Sequence, residues 1–272
     1  MTKTIPLAIA ALAAVALCSC GKSGPSENKP KSEVILAGST SVQPFADYLA
    51  EKYREVKPDA TVTVQGGGSS AGIKAVREGA AMIGMSSRAL KEDELKELTP
   101  IIIAHDGIAL IVHNSNPVGN LTLEQIQGIF SGKIADWSEV GGAKGAIRPV
   151  TREAGSGTRT AFTELVMKET QIANTAVVQN SNGAVREVIS KDQQGIGYIS
   201  MGLVDPSVKA VSIDGVAATE EDVVAGKYKL VRPFLFVTKG PAQGAAKEFI
   251  DFVLSDAGQK ILESEHLIRA KP

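Results

Sequence analysis

Apolar residues along this chain switch repeatedly between the spacing of a strand and that of a helix, and small polar residues fill the junctions. Val34-Ile35-Leu36-Ala37 is a continuous apolar run of strand length, and from Gln43 to Lys57 the residues Phe45, Leu49, Tyr53 and Val56 fall on one helical face. Thr61-Val62-Thr63-Val64-Gln65 alternates with a period of two, and Ser69 to Glu78 carries Ile73 and Val76 at helical spacing. Ala80 to Met85 reads as a third strand, followed by a charged helical segment from Lys91 to Leu98. Strand, loop and helix recur in that order, which predicts an α/β fold on a mostly parallel sheet.

Further along, Pro100 to Ala104 and Gly107 to His113 are apolar, β-branched runs separated by His105-Asp106, which reads as a loop. The second run is the expected crossing into another lobe. Thr122-Leu123-Glu124-Gln125 is a capping-box pattern that opens a helix to about Phe130, and Trp137 follows in a Gly-rich stretch as a packing anchor. Val150-Thr151 leads to a predicted helix over Thr158 to Lys168 with Phe162, Leu165 and Val166 inward. Val185, Val188 and Ile189 mark another short helix, and Gly195 to Ser200 a strand. Lys229 to Thr238 is apolar and β-prone, and Gln243 to Glu263 predicts two helices broken near Ser255 that return to the first lobe.

The strand-to-helix junctions share one chemistry. They are Gly38-Ser39-Thr40-Ser41, the Gly66 to Gly72 loop containing Ser69 and Ser70, Ser86-Ser87-Arg88, and Arg152 to Thr158 with Ser156 and Gly157. A helix N-terminus leaves N–H groups unpaired and carries about half a positive charge, and small hydroxyl residues let an anion approach that backbone. Several such ends together predict an oxyanion site, with Arg152 able to fork onto a tetrahedral anion. Two other readings compete. Gly66-x-Gly68-x-x-Ala71 fits the dinucleotide fingerprint, but Arg88 stands where the ribose-binding carboxylate is required. Ser69 or Ser156 as a hydrolase nucleophile would need one of only three histidines, His105, His113 and His266, and none has metal-like spacing with another His or Cys. Gly21-Lys22-Ser23 resembles the end of a P-loop but lacks its first glycine.

Composition narrows the class. With 272 residues, 43% hydrophobic and 22% charged, the chain is long enough for two modest cores. Residues 1–20 read as an export signal: Lys3, an apolar run from Ile5 to Leu17 too short to span a bilayer, then Leu17-Cys18-Ser19-Cys20. The last four resemble a bacterial lipobox in which Cys20 is lipidated, and loss of Cys18 would leave no disulfide. Residues 21–32, rich in Gly, Pro, Ser and Lys, read as a flexible tether. The full chain carries a net charge of −1, and cleavage would remove Lys3 and leave about −2, so no basic excess speaks for nucleic acid.

Seven segments in order, Gly38–Pro44 (GSTSVQP), Gln65–Gly72 (QGGGSSAG), Gly84–Arg88 (GMSSR), Asp106–Ala109 (DGIA), Ile129–Lys133 (IFSGK) with Trp137, Arg152–Arg159 (REAGSGTR) and Gly195–Tyr198 (GIGY), resemble the substrate-binding proteins of bacterial phosphate ABC transporters. The resemblance implies a two-lobe periplasmic-binding-protein fold of type II, each lobe a mostly parallel sheet flanked by helices, with the ligand in the interlobe cleft. It places residues 33–110 and 235–272 in one lobe and 111–234 in the other. It further implies a monomeric, exported, lipid-anchored receptor, not an enzyme, that needs no cofactor or metal and delivers inorganic phosphate to the permease subunits of an importer. Carried over residue by residue, the family's phosphate contacts fall on Thr40, Ser41, Ser69, Arg152, Ser156, Gly157 and Thr158. Ser39, Ser70, Ser87 and Arg88 complete the expected site. Some members place an Asp at the position of Ser87 to accept the ligand's proton. In its absence Asp106 is the expected acceptor, with Glu153 second and a brace on Arg88 as the alternative role for Asp106. The alternatives are another oxyanion (sulfate, molybdate or a phosphonate) or a phosphatase or esterase.

Overall fold

A computed structural model of the chain describes residues 32–270. The expected export signal, Cys20 and the tether up to residue 31 lie outside the described residues. The N-terminal part folds as β1 (Ser32–Gly38), α1 (Gln43–Val56), β2 (Ala60–Gly66), α2 (Ser69–Arg77), β3 (Ile83–Ser86), α3 (Glu92–Leu95) and β4 (Thr99–Val112). The middle contributes β5 (Asn120–Leu121), α4 (Leu123–Ser131), β6 (Arg148–Arg152), α5 (Gly157–Phe162), β7 (Val177–Gln179), α6 (Asn182–Lys191), β8 (Gly195–Ser200), β9 (Lys209–Ile213) and α7 (Glu220–Val224). The chain ends with β10 (Val231–Thr238), α8 (Gly244–Leu254), α9 (Asp256–Ser264) and β11 (Ile268–Arg269).

Local chemistry sets most of these boundaries. The Thr122 hydroxyl accepts from Gln125 N at 3.1 Å while Gln125 Oε1 accepts from Thr122 N at 2.9 Å, so α4 starts at a reciprocal cap. Ser255 closes α8 and caps α9 by accepting from Gly258 N at 3.2 Å. The helix expected over Thr158 to Lys168 is α5 followed by a π turn over Thr163–Met167, with Phe162 and Val166 buried and Leu165 only partly so. The π turn widens the helix and rotates the residues after it.

The sheet runs β2-β1-β3-β10-β4-β8-β6-β7. β1 is parallel to β2 and β3, and β6 is parallel to β7 and β8. Between these groups β10 and β4 run antiparallel to their neighbours. β4 is the long member at 14 residues: Thr99 to Gly107 pairs with β10, and Ile108 to Val112 with β8. The expected loop at His105-Asp106 is therefore the interior of one continuous strand. Asp106 faces Arg232 in the ladder, and an ion pair between them lets a carboxylate stay inside a sheet.

Two apolar clusters flank this long strand. One gathers Leu36 of β1, Phe45 and Leu49 of α1, Phe234 and Phe236 of β10, and Phe249 and Leu262 from the tail helices. The other gathers Ile108 and Leu110 of β4 with Phe130, Trp137, Phe162 and Tyr198. Phe162 stacks on Tyr198 at 4.0 Å, and Phe130 meets Phe162 edge-on at 4.8 Å. Among the described residues no helix is long and apolar enough to cross a membrane.

Gly72 shows how tightly α2 docks on β1. A Cβ there would strike the Ala37 carbonyl oxygen and lie 2.6 Å from Gly38 Cα, both backbone atoms that cannot swing aside. Gly72→Ala is expected to lower the free energy of unfolding by about 1–3 kcal/mol through this overpacking. Urea denaturation checks it, and an unchanged midpoint would contradict the docking described.

A candidate oxyanion site between the two cores

The junction loops are brought together by hydrogen bonds between them. Ser39 and Ser41 lie in the turn between β1 and α1, Ser69 opens α2, and Ser87 follows β3; Arg152 ends β6, and Ser156, Gly157 and Thr158 open α5. Ser39, Ser41, Ser69, Ser87, Arg152, Ser156 and Thr158 are each no more than 2% exposed. Polar groups so deeply buried need partners, and here they find one another.

Ser39 Oγ accepts from the N–H groups of Ser41 (3.2 Å) and Val42 (3.3 Å), so its proton goes to Ser87 Oγ at 2.9 Å. Ser69 Oγ accepts from Ser87 N at 3.1 Å and lies 3.3 Å from Ser87 Oγ. Across the cleft, Ser41 Oγ and Thr158 Oγ1 are 2.7 Å apart. Gly157 fits only because it has no side chain: a Cβ would run into Ser69 Oγ and lie 2.6 Å from Ser87 Oγ. Each hydroxyl pair uses one proton internally and leaves one to donate outward.

Arg152 supplies the charge. Its Nε donates to Glu153 Oε2 (3.0 Å) and the Gln179 carbonyl (3.2 Å), and its Nη2 to Thr40 Oγ1 (2.9 Å), Glu153 Oε1 (3.0 Å) and the Asn180 carbonyl (3.3 Å). Its Nη1 is buried without a hydrogen-bond partner among the described residues. A buried guanidinium with one nitrogen unmatched, in the same loop system as several buried hydroxyls, suits an anion with several acceptor oxygens. Ser156 Oγ accepts from Arg159 N at 3.2 Å as the cap of α5, and Arg159 Nη1 donates to the Arg152 carbonyl at 2.9 Å, which steadies the loop.

Three expected residues lie apart from this cluster. Ser70 is exposed, and its amide donates to the Gly155 carbonyl at 3.2 Å, a contact between the two halves. Arg88 turns both terminal nitrogens onto Glu94, at 2.8 Å each, because the first turn of α3 brings that carboxylate beneath it. Asp106 is fully buried: Oδ2 accepts from Arg232 Nε (2.9 Å) and Nη2 (2.8 Å), Oδ1 accepts from Ser200 Oγ (2.7 Å), and Met201 N–H adds a fourth donor. With both oxygens occupied, neither a ligand proton nor Arg88 is its partner. Burial pushes the Asp106 carboxyl up against the pull of Arg232 and Ser200, and burial likewise pushes Arg232 down.

Asn182, the first residue of α6 and 1% exposed, was not among the expected site residues. Its Nδ2 donates to Ser41 Oγ at 2.8 Å and its Oδ1 accepts from Ser200 N at 3.2 Å. The local feature that could have marked it is the Ser181 N-cap before α6, which lies outside the junction motifs. Among the described residues no group of three or more His, Cys, Asp or Glu could hold a metal.

Residues 23–257 match the PBP superfamily domain. The chain is 34% identical over 261 residues to the phosphate-binding protein PstS of Bacillus subtilis, covering 91% of this chain and 87% of that one. To PstS of Borreliella burgdorferi it is 29% identical, covering 88% and 90%. Among solved structures, a protein from Clostridium perfringens assigned to phosphate ABC transport and holding phosphate aligns with a TM-score of 0.86 at 46% identity, covering 88% of this chain and 100% of that one. An ABC-type phosphate transport receptor from Vibrio cholerae aligns at 0.73 and 40% identity, covering 87% and 100%.

Asp106→Asn is expected to lower stability by about 3–5 kcal/mol, because it strands the buried Arg232; a melting temperature equal to that of the unaltered protein would contradict the pairing. Glu94 titrates below its ordinary 4.5: burial pushes its carboxyl up, but hydrogen bonds from Arg88 and the Lys91 backbone outweigh that. Its folded value is thus below the unfolded one, so its stabilisation is present above about pH 4.5 and fades as pH falls through the folded value. The gap in unfolding free energy between the unaltered protein and Glu94→Gln should close on acidification below that point, as read by denaturant titrations across pH.

Proposed function

Because the chain belongs to the PBP superfamily and, within it, to the family of bacterial phosphate-binding proteins, we propose that it binds inorganic phosphate between two lobes as the substrate receptor of a phosphate importer. The observation that carries this reading is the buried Arg152, whose Nη1 has no hydrogen-bond partner among the described residues and whose Nη2 donates to Thr40, the neighbour in sequence of the Ser41 that pairs with Thr158. Phosphate brings four oxygens to that donor set. Arg152 takes one edge, the Ser41–Thr158 and Ser69–Ser87 pairs each send in one proton, and the backbone at Gly157 and Thr158 offers helix-end N–H groups. Glu153 holds the guanidinium by Nε and Nη2 and so fixes which edge meets the ligand.

The lobes divide within β4 near residue 110 and within β10 near residue 235, and β4 and β10 are the strands about which they move. Phosphate bridges them, and the closed form is what the permease subunits of the transporter read. Outside the described residues, export and lipidation at Cys20 would keep the receptor on the membrane surface, with the tether ending at residue 31, before β1.

A broader oxyanion range is favoured by one feature of the site. Asp106 is saturated and Ser87 presents a hydroxyl, which donates or accepts equally well and does not repel sulfate as a free carboxylate would. Calorimetric titration of protein unfolded and refolded to remove carried-over ligand should give one phosphate site with a Kd of about 1 μM or below, near −8 kcal/mol. Arg152→Lys should weaken it by about 100-fold, since an ammonium cannot replace the fork. Sulfate or molybdate binding as tightly as phosphate would reassign the ligand, and no phosphate binding by folded protein would overturn the reading.

A further inference from the structure

Asn182 holds a place in the site that neither the junction motifs nor the charge of Arg152 explains. Its backbone is fixed by the cap of α6, where Ser181 Oγ accepts from Ala184 N at 3.0 Å. Its buried amide spans the cleft between Ser200 at the end of β8 and Ser41 in the turn before α1. The orientation of that amide follows from its partners. The Ser200 backbone N–H can only donate, so Oδ1 must face it, which turns Nδ2 toward Ser41 Oγ. Ser41 therefore receives a hydrogen bond from Asn182 and cannot direct its own proton there. That proton goes to Thr158 Oγ1, which then donates outward, or straight outward while Thr158 donates to Ser41. In both arrangements one hydroxyl proton is left for the anion.

We infer that Asn182 is a positioning residue for anion binding, one that aims the Ser41–Thr158 pair at the ligand and latches the two sides of the cleft together. The inference rests on the phosphate-receptor reading. It also links the site to the interlobe strands, because Ser200 gives its N–H to Asn182 and its hydroxyl to Asp106, and Asp106 holds Arg232 of β10. A purely structural asparagine would be replaced harmlessly by an isosteric side chain that keeps the Ser200 bond. Here Asn182→Asp keeps that acceptor but draws the Ser41 proton onto the new carboxylate, and it sets a negative charge beside the anion.

The test is phosphate affinity and dissociation rate, by calorimetry and stopped-flow release, for the unaltered protein, Asn182→Ala, Asn182→Asp, Ser41→Ala and the Asn182→Ala/Ser41→Ala pair, with melting temperatures recorded alongside. Asn182→Ala should raise Kd by about tenfold, chiefly through faster release, as expected for the loss of one buried hydrogen bond. Asn182→Asp should raise it by about 100-fold or more, beyond the effect of Asn182→Ala, measured below its melting temperature so that lost binding is separated from lost folding. In the Ser41→Ala background, Asn182→Ala should change Kd less than about twofold, because its partner is already gone. Additive effects in the double variant, or an Asn182→Asp protein that binds phosphate normally, would overturn the inference while leaving the receptor reading intact. An unaltered protein that does not bind phosphate would overturn both.

Discussion

The structure of this site depends on one requirement, that a guanidinium buried to 1% exposure must have its charge and its donors matched. Arg152 meets part of it within the protein. Glu153 takes the Nε and Nη2 edge, Thr40 and two backbone carbonyls take the remaining protons on that side, and Nη1 is left without a partner among the described residues. Everything around it serves that geometry: glycine at 157 so that Ser69 and Ser87 can approach, a short α5 capped by Ser156, and α2 pressed on β1 so that Ser69 comes forward. In the proposed role an anion would supply the missing match, with most binding energy in a site from which water is excluded.

The second buried cation plays a different part. Arg232 and Asp106 face each other where β10 and β4 pass between the two cores, and the carboxylate is saturated by four donors. Such a pair gives little net stability over an apolar replacement, yet breaking it is costly, so it fixes register and the placement of Ser200 more than it strengthens the fold. Through Ser200 and Asn182 that fixed point reaches Ser41. The buried cation with an unmatched nitrogen and the charged pair that braces the strands are thus separate groups.

Much of this was legible in the sequence because it is local. The loops at Ser39, Ser69, Ser87 and Ser156 stand at strand-to-helix junctions that periodicity marks, and the breaks at Thr122 and Ser255 are side-chain caps written within four residues of the helix they start. What could not be read was pairing at a distance. Asp106 looked like a polar break in an apolar run because its partner Arg232 lies 126 positions away, inside a segment that reads as a plain strand. Arg88 looked like a ligand although its partner Glu94 is only six positions on, brought under it by the turn into α3, and Asn182 carried no signal beyond the Ser181 cap. The seven segments that resemble phosphate receptors carried the site's identity further than any single spacing did.

The most direct test of this account is a crystal structure of the protein with phosphate. The account predicts phosphate oxygens within hydrogen-bond distance of Arg152 Nη1 and of hydroxyls from both lobes, with Glu153 still on Nε and Nη2 and Asp106 still on Arg232. Phosphate held by one lobe alone, or an Arg152 turned away from it toward solvent, would contradict it.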